Sequence, residues 1–466
     1  MTLRRRTLTL LLVLPCLAIL GYGARWIWIA LRVATGFTAK VACSQYFLSG
    51  QDPQQTLREY VRGEIAPAGA WMSLTVGRDD VVASTFGARA RAVYRPGLGC
   101  TLLAGAGEDE LAAVVPPPPL PPLPADVAWP QGDAPAPTPS AAVASAIDEA
   151  FREPADAEPG RQRATRAVVI VHDGKLIAER YAPGYHPETP MQSWSMAKSV
   201  LATLVGLAAL EKRVLLHAPA PVPEWRTPED PRGTITLDQL LRQSSGLAFD
   251  EHYGAVNDVS RMLFTTPDTG AFAAARPLTA APDTVWSYSS GTSNIVARLL
   301  RASFGGDTAA LLAFARDRLF LPIGIRSAVI ELDVSGTPIG SSYVYMTARD
   351  WARFGELHRL GGEWNGDHVL PDEWVTYITL PTAAAPLGQY GAHWWLNAGD
   401  PADPANRPWP SLPPETYAAQ GHSGQQVVIV PTAKLVVVRL GLSLPDDGND
   451  GTQELVAAVM AAVQTP

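Results

Sequence analysis

Residues 196–210, MAKSVLATLVGLAAL, limit the fold more than any other stretch of this chain. Apolar side chains occupy every face of the segment, so a helix built from it has to be buried on all sides by the rest of the protein. Inside that run stands Lys198, and three residues earlier stands Ser195. A buried ammonium either finds a partner or gives up its proton. Residues three apart share one face of a helix, which sets the Lys198 amine against the Ser195 hydroxyl. A desolvated lysine is a base able to activate a serine, and a serine at a helix N-terminus meets the positive end of the helix dipole. The chain has five lysines, and only Lys198 follows a serine at this spacing. Chance supplies such a pair in about one chain of this kind in four, so the apolar helix around it carries the weight.

A second serine, Ser423 in GHSGQ (residues 421–425), first looks like the strand-to-helix elbow of another hydrolase class. That elbow needs glycine two residues after the serine, where this chain has Gln425, and the residues that follow read as a strand. Ser423 is therefore not expected to be a nucleophile.

Strands come in terminal pairs. RAVVIVHDGKLIAERY reads as a hairpin turning at Asp173-Gly174, and QQVVIVPTAKLVVVRLGL as another turning around Pro431 to Lys434. Thr452 caps a closing helical pattern, TQELVAAVMAAV. Helix and loop fill the space between the hairpins, which predicts an α+β fold, an antiparallel sheet with helices packed on it, and not a doubly wound parallel sheet. A proline-rich run, VVPPPPLPPLPADVAWPQGDAPAPTPSAA, cannot enter a helix interior or a central strand and marks a linker over residues 108–140. The expected domains are thus a membrane anchor or signal segment (1–36), a small β-containing unit (37–107) read as a supporting module, the linker, and a main domain (141–466).

Arg4, Arg5 and Arg6 precede an uncharged apolar stretch, residues 7–24, and Arg25 closes it. The following RWIWIALRVATGF brings tryptophans suited to a membrane interface, so we expect an uncleaved anchor with the rest exported, at the periplasmic face of the inner membrane or outside the cell. A lipoprotein reading of Cys16 is set aside because Pro15 stands where a small residue is wanted. In an exported chain Cys43 and Cys100 can form a disulfide. The formal charge of -8, with no dense basic block beyond the first residues, argues against a nucleic-acid partner. The eight histidines show no metal-ligand spacing and there is no phosphate-cradling glycine loop, so neither metal nor cofactor is expected.

Three pieces fall in order along the chain: SMAK at Ser195 to Lys198, YSS at Tyr288 to Ser290, and HSG at His422 to Gly424. With LLRQSSGLAFDEHYG, LFLPIGI, TARDWARFGEL, YGAHWW and GHSGQQVVIVP at matching places, residues 140–466 resemble the serine β-lactamase and penicillin-binding-protein superfamily. The resemblance is to the class C β-lactamase-like branch that includes esterases, D-aminopeptidases and 6-aminohexanoate-oligomer hydrolases; FDEHY after SSGL looks most like the last of these.

The resemblance implies Ser195 as the acylated nucleophile, Lys198 as its activating base and Tyr288 as general acid and base. It implies an oxyanion hole from the backbone N-H groups of Ser195 and Gln425. Ser290, His422, Ser423 and Gly424 would contact substrate, a small molecule or peptide. Asp250, Glu251 and Tyr253 line the cleft on this reading or form a solvated loop, and Trp394 and Trp395 are read as core. Two departures matter. The second motif ends in Ser290 where asparagine is frequent, and the third opens with His422 where typical relatives carry lysine. A histidine is neutral much of the time near pH 7, which weakens recognition of an anionic β-lactam. The expected activity is ester or amide hydrolysis through an acyl-enzyme. A cell-wall D,D-peptidase or D-aminopeptidase, and a non-catalytic binding module on the same fold, are the alternatives.

Overall fold

The computed structural model describes residues 2–154, 161–445, 447, 448 and 450–464. A helix, α1 (Thr2–Phe47), opens the chain. It runs unbroken past residue 36, because nothing between Gly36 and Phe47 interrupts a helix. Residues from Val33 to Cys43 are largely buried, and Gly36 lets the helix approach Phe264, where a Cβ would lie 2.2 Å from the carbonyl oxygen. Helical turns over residues 53–64 follow.

Next comes a four-stranded antiparallel meander, β1 (Ser73–Val76), β2 (Asp80–Thr85), β3 (Ala88–Arg95) and β4 (Gly99–Leu102). Its buried side chains, Val81, Ala83, Ala92 and Cys100 among them, join one continuous core with α1 and the main domain. Cys43 and Cys100 form a disulfide that ties α1 to β4. Beside it Lys40 is paired with Glu331, which also accepts hydrogen bonds from Ser44 Oγ at 2.7 Å and Cys100 N at 2.6 Å. The proline-rich residues 108–140 have no regular structure for the most part and are strapped down. Arg353 donates to the carbonyls of Pro130 and Gly132, and Arg349 to that of Asp133.

The main domain begins with α2 (Ala141–Ala150) and the hairpin β5 (Thr165–His172) and β6 (Lys175–Tyr181). Asp173 and Gly174 form its two-residue turn, both with positive φ, +47° and +77°, as such a turn requires. The buried helix α3 (Met196–Leu210), α4 (Ser290–Ala302) and α5 (Ala348–Arg359) follow. The chain closes with β7 (Trp395–Leu396), β8 (Tyr417–Gly421), β9 (Gln425–Val430), β10 (Leu435–Gly441) and α6 (Thr452–Gln464).

The terminal hairpins meet in one six-stranded antiparallel sheet, ordered β7-β8-β9-β10-β5-β6. Its central strands are apolar on both faces because helices cover both. Val168, Ile170, Val428, Val430 and Val437 face α2 and α6, while Val169, Val171, Val427, Ile429 and Val436 face α3 and α5. The architecture is α+β with a β-lactamase-like arrangement, as the element pattern predicts. One detail differs. Thr452 is the first helical residue of α6 and not its cap; Asp450 Oδ1 accepts its N-H at 2.8 Å, since an aspartate two residues earlier reaches the exposed donor equally well.

Candidate active site

Ser195 stands at the N-cap position of α3 without a side-chain capping bond, its backbone against Gly421 at the end of β8. The preceding Trp194 has φ +45°, a conformation costly for a bulky residue, and tertiary contacts hold it there. Its ring stacks on Phe37 of α1, centroids 6.3 Å apart, and its Nε1-H donates to Tyr60 Oη at 3.1 Å.

Lys198 is buried one turn into the helix. Its Nζ lies 2.9 Å from Ser195 Oγ, 3.0 Å from Ser290 Oγ and 3.2 Å from the Ser341 carbonyl. Burial brings its pKa down to about 8, with the charge of Glu251 pulling the other way. The Tyr288 ring centroid is 4.7 Å from the same amine, and the ring packs against Trp395 and Tyr390. The SxxK lysine, the second-motif tyrosine and the serine are thus brought together.

Ser290 opens α4, where Ser289 provides the cap. Its N-H and its hydroxyl both donate to Glu251, at 2.7 and 2.5 Å, while its Oγ accepts from Lys198. Glu251 is therefore linked to the base through one hydroxyl. Burial raises its pKa, and Lys198 opposes that. Its neighbours divide: Tyr253 lines the cleft and stacks on His422 at 4.8 Å, whereas Asp250 caps its own loop through His252 and Asn257.

The third motif is a tight turn between β8 and β9. His422 lines the cleft and pairs with Glu64 through Nε2 at 2.9 Å. Ser423 points away, buried at φ +60°, with its hydroxyl donating to Glu64 and bonded to Tyr60 Oη, which removes it as nucleophile or substrate contact. Gly424 lines the cleft at φ +78°. Gln425 does not: its side chain is buried behind the turn and bonds the carbonyls of His422, Ser423 and Gly441. The backbone that runs against the nucleophile belongs to Gly421, where a Cβ would lie 2.1 Å from Ser193 O and 3.0 Å from Ser195 N.

The cleft encloses about 310 Å³, and Trp395, Trp409, Gln420, Gln426 and Asp450 also line it. Trp395 is thus cleft wall, whereas Trp394 is core, stacked on Phe354. Sequence reasoning missed Tyr60, Glu64, Trp409 and Asp450, which carry no local signature. Among the described residues, no three or more of His, Cys, Asp and Glu are grouped to hold a metal ion.

The family model described as Beta-lactamase matches residues 145–459. A 6-aminohexanoate-dimer hydrolase of Paenarthrobacter ureafaciens is 25% identical over 312 residues, 60% of this chain and 73% of that protein. A solved structure of a putative 6-aminohexanoate-dimer hydrolase from Bacillus anthracis superposes with a TM-score of 0.57 at 20% identity, covering 90% of this chain and 98% of that one. A family VIII carboxylesterase gives a TM-score of 0.51 at 15% identity, over 68% and 96% of the two chains. Identities this low carry a likeness of fold.

Proposed function

The chain belongs to the beta-lactamase family, as a serine hydrolase of esterase or amidase type, and from that premise we propose that Ser195 is acylated by an ester or amide and freed by water. The observation that carries this reading is the buried Lys198 amine 2.9 Å from Ser195 Oγ. With a pKa brought down to about 8, about a tenth of Lys198 is neutral near pH 7, far more than of an ordinary lysine, and this form can accept the serine proton as Oγ attacks the carbonyl carbon. The carbonyl π electrons move to oxygen, and the oxyanion meets backbone N-H donors. Ser195 N-H is one, at the positive end of α3. The second comes from the Gly421–His422 edge of β8 and not from Gln425, since Gly421 is the residue packed on Ser195 N. Collapse breaks the ester or amide bond, and Lys198 or Tyr288 returns the proton to the leaving alcohol or amine. Water then repeats the sequence on the acyl-enzyme.

The test is an intact-mass measurement on the full chain after mixing with an activated ester. A transient adduct with turnover supports the reading. Absence of both, in folded protein also inert to a fluorophosphonate, moves the balance to a binding module. D-amino-acid peptides and linear amides then separate peptidase from amidase.

Two further expectations follow from the geometry. Gly421→Ala has to displace either β8 or the Ser193–Ser195 backbone, and is expected to lower kcat/KM by about 100-fold while circular dichroism stays native. An active Gly421→Ala enzyme would mean that β8 does not help form the oxyanion site. Glu251→Gln removes the charge that raises the Lys198 pKa, so the rise of kcat/KM with pH should move to lower pH. An unmoved limb would dissociate Glu251 from the base.

Export is part of the same proposal. The helix segment Gly21–Phe47 is long and apolar enough to cross a membrane, but 67% of its most apolar window is buried in the protein. Among residues with described surroundings, the lipid-facing part is therefore assigned to residues 21–28. Tyr22, Trp26, Ile27 and Trp28 are exposed there beside Arg25, a composition suited to a bilayer interface.

A further inference from the structure

We propose that Glu64, which lies outside the family-matched residues, is a specificity determinant of the cleft: acting through His422, it turns anionic acyl groups away. The proposal rests on the Ser195 hydrolase reading.

Contacts among the described residues hold His422 in place. Glu64 Oε1 is 2.9 Å from its Nε2, Tyr253 stacks on its face, and Trp194 meets it edge-on at 5.4 Å. Glu64 is fixed in turn by Ser423 Oγ, which donates to it at 3.2 Å, and Ser423 bonds Tyr60 Oη. Its side chain is 14% exposed and that of His422 9%, so the pair is poorly screened by solvent. Among the described residues, those that line the cleft include Asp450 and neither arginine nor lysine. Among the described residues, the titratable groups near His422 include Glu64 and Tyr253 in contact with it, Glu251 on the Tyr253 loop, Tyr60 bonded to the adjacent Ser423, Lys198 bonded to Ser195, and Asp450, which lines the same cleft. Substrate carboxylate brought beside His422 would meet the Glu64 charge directly behind the ring. A protonated imidazole balances that charge; a neutral one leaves it unopposed, so rejection of anions should grow as pH rises.

The experiment compares two p-nitrophenyl esters of matched length, the valerate (neutral) and the hemiglutarate (anionic), on the full-length chain. In the wild type the kcat/KM ratio should favour valerate, more so at about pH 8 than at about pH 6, and less so with added salt. Glu64→Gln should shift the ratio toward the anionic ester by about tenfold, most at the higher pH, where the neutral imidazole leaves the Glu64 charge unopposed, as expected for one charge removed at close range in a half-screened site. Tyr60→Phe loosens the same network without changing charge and should keep the wild-type ratio. An equal shift in Tyr60→Phe, or a ratio in Glu64→Gln that matches the wild type, overturns the proposal. So does a wild-type ratio flat in both pH and salt, which can be read even where Glu64→Gln fails to fold. Wild-type turnover of neither ester sinks the hydrolase reading and this proposal with it, whereas turnover with an unmoved ratio sinks the proposal alone.

Discussion

Ser195→Ala should lower turnover of an activated ester by at least about four powers of ten and abolish the mass adduct, while the melting transition stays cooperative. The size of the loss follows from the arrangement: the Lys198 amine is bonded to Ser195 Oγ, and without that oxygen no covalent step remains. The rival serine in the cleft region offers no substitute, because Ser423 is buried and engaged by Tyr60 and Glu64. An alanine variant with full activity would reject the acyl-enzyme on Ser195 outright.

Lys198→Met should slow acylation by two to four powers of ten, the contribution expected of a positioned general base. Methionine fills a similar volume in the apolar surround of α3, so the defect should lie in chemistry more than in folding. The pH profile gives the sharper reading. With a pKa of about 8, the neutral and competent form of Lys198 is the minority below that pH and the majority above it. The wild-type acylation rate should therefore climb through about pH 8 and level off, and the methionine variant should lose that limb. A limb that persists without Lys198 would assign the titration to another group, Tyr288 being the next candidate.

Both variants act on a site that the N-terminal segment supports. Phe37 of α1 stacks on Trp194, and Tyr60 joins Trp194 to Ser423, so the chain neighbours of Ser195 and His422 are bonded through residues that precede the hydrolase unit. The helix read as a membrane anchor is thus continuous with one that props the nucleophile. Holding Trp194 at positive φ needs that support, since the conformation has an intrinsic cost for a non-glycine residue.

Much was legible from the chain alone because it rests on local rules. The hairpin at Asp173-Gly174 follows from turn chemistry, and the meeting of Ser195 and Lys198 from helical periodicity over three residues. The strand pairs at both ends follow from β-rich apolar runs, and their union in one antiparallel sheet is the arrangement that buries both. The motif order pointed to the family that the comparison then matched.

What only the tertiary structure decided is the set of contacts with no short-range pattern. Glu64 meets His422 across 358 positions of sequence, and Glu251 reaches Lys198 only through Ser290 on another helix. The second oxyanion donor is proposed at the Gly421–His422 edge and not at Gln425 for a geometric reason. The motif turn at residues 422–424 swings the strand back into the sheet, so Gln425 ends up buried behind it and Gly421 lies against the nucleophile. Periodicity and turn preference act over a few residues, which is why the sequence by itself determined the main elements and the meeting of Ser195 with Lys198. Which carboxylates and aromatics surround them depends on how distant elements pack, and burial alone sets that.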